Sequence, residues 1–157
     1  MSFRFALRGL CLLALGSCVS SAVNRPFGPY VNLVDSRGEL PPFSVRLPQD
    51  MAVSRSFASA RAVRPGLVID VRSLLQSTAL SCRQLADCVR RSMVIDGKPA
   101  TAIRYRDSGT YPIRLTVAVP FRDKSIVAEA QCGTEQQCAL AEQILRSGVF
   151  AQIARTS

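Results

Sequence analysis

The amino-acid sequence predicts an α+β domain: an antiparallel β-sheet with a C-terminal helix packed on one face, stapled by disulfides. Three observations carry that reading. Apolar and polar residues alternate over several short runs, one amphipathic run near the C-terminus has a capping signature, and two cysteine pairs share one spacing. Alternation sets one face of a strand against a core, and a stripe at three- and four-residue intervals does the same for a helix. With 157 residues, 48% of them hydrophobic, the chain has material for one domain with its own core.

The chain opens on MSFRFALRGLCLLALGSCVSSAV. A basic segment ending at Arg8, the apolar stretch GLCLLAL and then small residues follow the order of a secretory signal. The apolar part falls well short of the roughly twenty residues that cross a bilayer. Two cuts suit the segment. One is ordinary cleavage after Ala22, behind the small residues Ser20 to Ala22. The other rests on LGSC, Leu15 to Cys18, which resembles the lipobox of bacterial lipoproteins. That resemblance implies cleavage before Cys18, which becomes the lipidated first residue and anchors the chain to a membrane. Val19, rather than aspartate, then points to the outer membrane. The expected plan is a signal peptide over 1–22, a tether or N-terminal arm over 23–42 and the sandwich domain over 43–157.

The arm is rich in Pro, Gly and polar residues, and its YVNLV segment can add an edge strand. FSVRLP (43–48) sets Phe43, Val45 and Leu47 against Ser44 and Arg46, a half-buried strand. QDMAVSRSF offers a turn and a second strand, and GLVIDVRSLL alternates Leu67, Ile69 and Val71 with Asp70 and Arg72. Residues 76–91 suit a helix or an irregular cysteine-bearing turn. Asp96-Gly97 is a hairpin signal, after which Ile103 and Tyr105 face one way and Arg104 and Arg106 the other. YPIRLTVAVPF is the clearest strand, with Ile113, Leu115, Val117, Val119 and Phe121 inward and Arg114, Thr116 and Arg122 outward. RDK then turns into SIVAEAQC.

A helix from Glu135 to about Arg146 follows, with Thr134 as its cap and Gln137 completing a capping box. Cys138, Ala141, Ile144 and Leu145 form its apolar stripe, and Ser147 and Gly148 end it. Without the leader, Cys11 is lost and Cys18 is lost or lipidated, so Cys82, Cys88, Cys132 and Cys138 remain. Export makes disulfides their default state. Five intervening residues exceed the usual spacing of zinc cysteines, and a redox pair would read C-x-x-C. Four cysteines allow three connectivities. Local pairing, Cys82 with Cys88 and Cys132 with Cys138, is the most natural. A straight helix would turn such a pair apart, so SCRQLADC must contain a break, with Ser81 or Asp87 involved.

The order of pieces resembles the Mog1/PsbP-like family of small α/β sandwiches. FSVRLPQDM at 43–51 is similar to that family's opening strand, VIDGKPATAIRY to its turn-and-strand, and ILRSGVF at 144–150 to its tail. Met51 stands where an aromatic is common, and the cysteine pairs are additions. The resemblance covers about 110 residues and implies a noncatalytic binding or assembly module, with no shared catalytic set to carry over.

Histidine is absent, which removes Ser/His and Cys/His nucleophile pairs and the commonest metal ligand. Asp70, Asp96, Asp107, Tyr105 and Lys98 form no recognisable catalytic constellation, and Asp96 and Lys98 suit the hairpin. The expectation is a chain that is no enzyme and needs no cofactor or metal. The formal charge is +9, falling to +7 once Arg4 and Arg8 leave with the signal. Alternation puts Arg46, Arg72, Arg104, Arg106, Arg114 and Arg122 on outward faces. If their strands are neighbours, they form a basic platform for carboxylates or phosphates; otherwise Asp70, Glu129 and solvent neutralise the face. The expected partner is an envelope or periplasmic protein with an acidic surface. Export and the low aromatic content disfavour nucleic acid. The alternatives are a periplasmic immunity or inhibitor protein against a toxin, and an envelope structural lipoprotein.

Overall fold

The alternating runs fold as antiparallel strands, in two sheets rather than one. The computed structural model describes residues 27–35, 40–56, 59–74 and 79–151. The expected signal peptide, with Cys18 and both expected cleavage points, lies outside the described residues. Those residues hold ten strands and one helix: β1 (Phe27–Val34), β2 (Phe43–Pro48), β3 (Ala52–Ser56), β4 (Ser59–Arg64), β5 (Leu67–Leu74), β6 (Ala86–Ile95), β7 (Lys98–Arg106), β8 (Ile113–Phe121), β9 (Lys124–Cys132), α1 (Glu135–Arg146) and β10 (Val149–Phe150). A large sheet runs β3-β4-β5-β9-β8-β7-β6, and a small one runs β1-β2-β10. Two meanders, β3 to β5 and β6 to β9, meet where β9 returns beside β5. The architecture is the α+β class the sequence predicts.

One face of the large sheet builds the core with α1 and the small sheet. Leu67, Ile69 and Val71 of β5, Ile113 to Val119 at alternate positions of β8, and Ile126, Ala128 and Ala130 of β9 point into it. The helix adds its buried stripe of Cys138, Ala141, Ile144 and Leu145. A twelve-residue helix is marginal alone. Each fully buried Ile or Leu contributes about 1.5–3 kcal/mol, so packing on the sheet holds it. Thr134 Oγ1 accepts the Gln137 N–H at 3.3 Å, as a cap should. The reciprocal half of the capping box is not made. Gln137 Nε2 instead donates to Pro65 O at 3.1 Å, and Gly133 N–H donates to Gly66 O at 2.9 Å. Gly66 has φ of +78°, and a Cβ there would lie 1.8 Å from Gln137 Nε2. The β4–β5 turn is therefore a glycine seat for the helix start.

YVNLV forms the edge strand that the sequence offers: it lies within β1, at the edge of the small sheet, pairs along β2 and buries Leu33 and Val34. Two elements differ from the sequence reading. Ser59–Arg64 forms a further strand, β4, whose core side chains are only Ala60 and Ala62. Residues 86–95 are the strand β6, not a helix, at the edge of the large sheet. The break in SCRQLADC is present: Gln84 and Asp87 adopt φ of 62° and 49°, and Ser81 Oγ accepts the Arg83 N–H at 3.2 Å. Those left-handed residues bring Cys82 and Cys88 within a Cα separation of 5.5 Å.

Glu142 shows how the outer face of α1 is tied to the sheet. Burial pushes its carboxyl upward, but Arg146 and Arg91 outweigh that and hold it below the ordinary glutamate range. A depressed carboxyl contributes stability above its unfolded value, near 4.3, and loses it as pH falls through the folded value. Denaturation midpoints measured from about pH 6 to about pH 3 are expected to fall less steeply in Glu142→Gln than in the parent. Equal slopes would mean that the carboxyl is not held down.

Candidate functional site

The six arginines singled out in the sequence do not meet on one surface. On β7 the even positions carry Ala100 and Ala102 into the core, so Arg104 and Arg106 continue that row past the edge of the core toward α1. On β5 and β8 the core takes the odd positions, so Arg72 and Arg114 lie on the opposite face of the sheet. Arg46 belongs to the small sheet, where Nε donates to Gly28 O at 3.2 Å and Nη2 to Phe27 O at 3.3 Å. Arg122 is exposed in the β8–β9 turn at φ of 54°. Alternation is right on each strand, but its phase differs between strands.

The face turned away from the helix is a neutralised ladder. Asp70 and Glu129 stand directly opposite each other on β5 and β9, a like-charge pair that needs compensation. Arg61 supplies it to Asp70 through two contacts of 2.7 and 3.0 Å. The carboxylate raises the Arg61 pKa further. Arg72 at 3.9 Å and Arg114 at 3.6 Å supply it to Glu129. Arg114 also reaches Asp107 at 2.9 Å. Beside them, burial and then the Glu129 carboxylate raise the Tyr105 phenol above its usual value, so it stays protonated. Across β4, β5, β9 and β8 this face carries acids and bases in register, which gives an anion no net attraction there; Arg90, on the same face but at the β6 edge, lies outside the ladder.

The other arginines gather at the β6–β7 edge. Register pairs Val89 with Arg104 and Ala86 with Arg106, and a shallow cleft of about 180 Å³ opens there. Asp87, Val89, Arg104, Arg106, Ile113 and Glu135 line it. Arg104 pairs with Glu135 at the helix start, and Arg106 lies 3.5 Å from Glu135 and 3.6 Å from Asp87. Arg91 pairs with Glu142, whereas Arg90 makes no ion pair among the described residues. Exposed pairs of this kind are worth about 0–1 kcal/mol, so an incoming carboxylate can take over the guanidinium at small cost. The sequence reading missed Arg90 and Arg91 because it did not see β6 as a strand. Reflecting the alternation back across Asp96-Gly97 would have found them, since a hairpin requires a strand on both sides.

The remaining polar candidates have structural partners. The Asp96 carboxylate accepts the Phe150 N–H at 2.8 Å, and Lys98 Nζ lies 5.3 Å from the Phe121 ring centroid. Cys82–Cys88 and Cys132–Cys138 are both disulfides, with Cα separations of 5.5 and 5.3 Å. Their sulfurs are committed to each other rather than to a metal. Two disulfides within one small fold indicate an oxidising, exported compartment. Among the described residues no helix is long and apolar enough to cross a membrane. Fold and bonds together define a disulfide-stapled α+β sandwich with a cationic sheet edge. Compared with known proteins, the chain matches no family model and no curated protein.

Proposed function

We propose that this chain is a bacterial envelope protein that works as a noncatalytic binding module, docking an acidic protein on its β6–β7 flank. The carrying observation is the concentration of Arg90, Arg91, Arg104 and Arg106 on β6 and β7, strands that between them hold one acid, Asp87. Guanidinium groups recognise carboxylates in a fixed, bidentate geometry, and a charged rim speeds encounter as well as selecting the partner. The noncatalytic role is also the one implied by the resemblance to Mog1/PsbP-like domains. The finer location follows the leader: a Cys18 anchor at the outer membrane, with residues ahead of β1 as its tether.

Crosslinked pull-down from a membrane extract tests the docking face. Arg104→Ala with Arg106→Ala is expected to reduce recovery of the partner at least about tenfold, the equivalent of about 1.4 kcal/mol. Arg72→Ala, on the neutralised face, is expected to leave it unchanged. The reverse pattern would reject the proposed face. Incorporation of labelled fatty acid, lost in Cys18→Ser, tests the anchor separately.

A further inference from the structure

Strand β6 is ten residues long and, among the described strands, pairs only with β7. Its side chains at Arg90, Arg91, Ser92 and Val94 are exposed, and Val89 and Val94 are the most exposed large hydrophobics described, at 61% and 59%. The hairpin fixes which backbone groups are open. Asp96 and Gly97 both have positive φ, at 49° and 73°, and Ile95 closes the turn against Lys98. That is the two-residue hairpin in which the closing pair exchanges both hydrogen bonds. Counting back from Ile95, the N–H and C=O groups of Met93 and Arg91 face β7, and those of Val94, Ser92 and Arg90 face outward. Pro99, opposite Val94, has no N–H to offer, which fits the same phase.

We infer that β6 accepts an added strand: an extended segment of an acidic partner protein pairs with Arg90, Ser92 and Val94. This rests on the proposed docking of an acidic protein and specifies its mode. Strand addition takes affinity from the backbone and specificity from alternate side chains. Arg90, Ser92 and Val94 share the face turned away from the helix, so the incoming segment presents a carboxylate to Arg90 and an aliphatic side chain to Val94, four positions apart. A second copy of this chain is a poor occupant. Antiparallel self-pairing centred on Arg90 would set that arginine against its own copy, where like charges are destabilising, and self-pairing centred on Ser92 would set Arg90 against Val94 and supply it no carboxylate. At the other end, the bulge between Ala86 and Val89 and the Cys82–Cys88 loop stop the ladder. The open length is therefore about six residues, enough for one short strand.

The test uses a blocked nine-residue peptide, threonine throughout except for valine at the third position and glutamate at the seventh. Its antiparallel register sets valine on Val94 and glutamate on Arg90. Titration into isotope-labelled, disulfide-intact protein is expected to shift the Arg90, Ser92 and Val94 amides. Ser92→Pro removes one outward N–H without touching the ladder to β7, and is expected to weaken binding at least about tenfold. The same peptide N-methylated at its third, fifth and seventh residues is expected to lose binding to the unmodified protein, which keeps the test valid should Ser92→Pro misfold. Equal affinity for the methylated peptide would overturn strand addition while leaving a charge-based docking face intact. No binding by the plain peptide would also overturn it. Failure of the docking face itself is read independently, from the Arg104 and Arg106 pull-down.

Discussion

Replacing Phe43 with alanine is expected to destabilise the fold by about 3–5 kcal/mol, the range for removing a large buried aromatic ring. Phe43 is 1% exposed and sits where three elements converge. Its ring lies 4.9 Å from that of Phe150, which in turn lies 5.1 Å from Phe121. On the backbone, β2 pairs Phe43 with both Val34 and Phe150. The helix end leans on the same ring, since a Cβ on Gly148 would meet Phe43 at 2.4 Å. Surrounding groups cannot collapse into the vacated space without moving the helix terminus and β10 together. Thermal melts of disulfide-intact protein should therefore fall by about 10–20 °C, and Phe43→Leu should recover much of the loss. A drop equivalent to less than about 1 kcal/mol would show that this ring does not join the two sheets.

Removing the Cys132–Cys138 bridge, as Cys132→Ala with Cys138→Ala, is expected to cost about 2–3 kcal/mol. A loop this short restrains the unfolded chain by about that amount. Both residues are buried, and the bond ties the last residue of β9 to the first turn of α1. The helix start would still be held by Thr134 and by the contacts with Pro65 and Gly66, so the fold is expected to survive with a lower denaturation midpoint. Cys82→Ala with Cys88→Ala removes a loop of the same length, but at an exposed sheet edge. There the expected result is faster amide exchange confined to the start of β6. Identical global losses from both pairs would contradict that division.

How far the sequence discloses this fold depends on which side chains fill the core. Strands β2, β5 and β8 place Phe, Leu, Ile and Val inward at every second position, and alternation finds them. The helix is equally plain, because its buried stripe coincides with a cap residue and a terminating Ser147-Gly148. Strand β4 escapes because Ala60 and Ala62 fill its core side, and alanine adds little contrast to any hydrophobic pattern. The same effect hides the phase of β7, where Ala100 and Ala102 face the core while the bulkier Ile103 and Tyr105 turn to the other face. Strand β6 is obscured by its position: at an edge with a bulge, exposure no longer follows a period of two. The arginine sites inherit these errors. Alternation along one strand says which residues share a side, but only the packed neighbours say which side that is.

The smaller sheet binds the first described strands to the last. Arg46 N–H donates to Ser147 Oγ across 101 positions of sequence, and β10 seals onto β2 directly beyond it. Contacts between residues so far apart form late and slowly. A polypeptide emerging amino-end first cannot finish this closure until residues 147–150 have arrived. For a domain held by two disulfides, that ordering leaves the amino-terminal strands unsealed until the residues beyond α1 are in place.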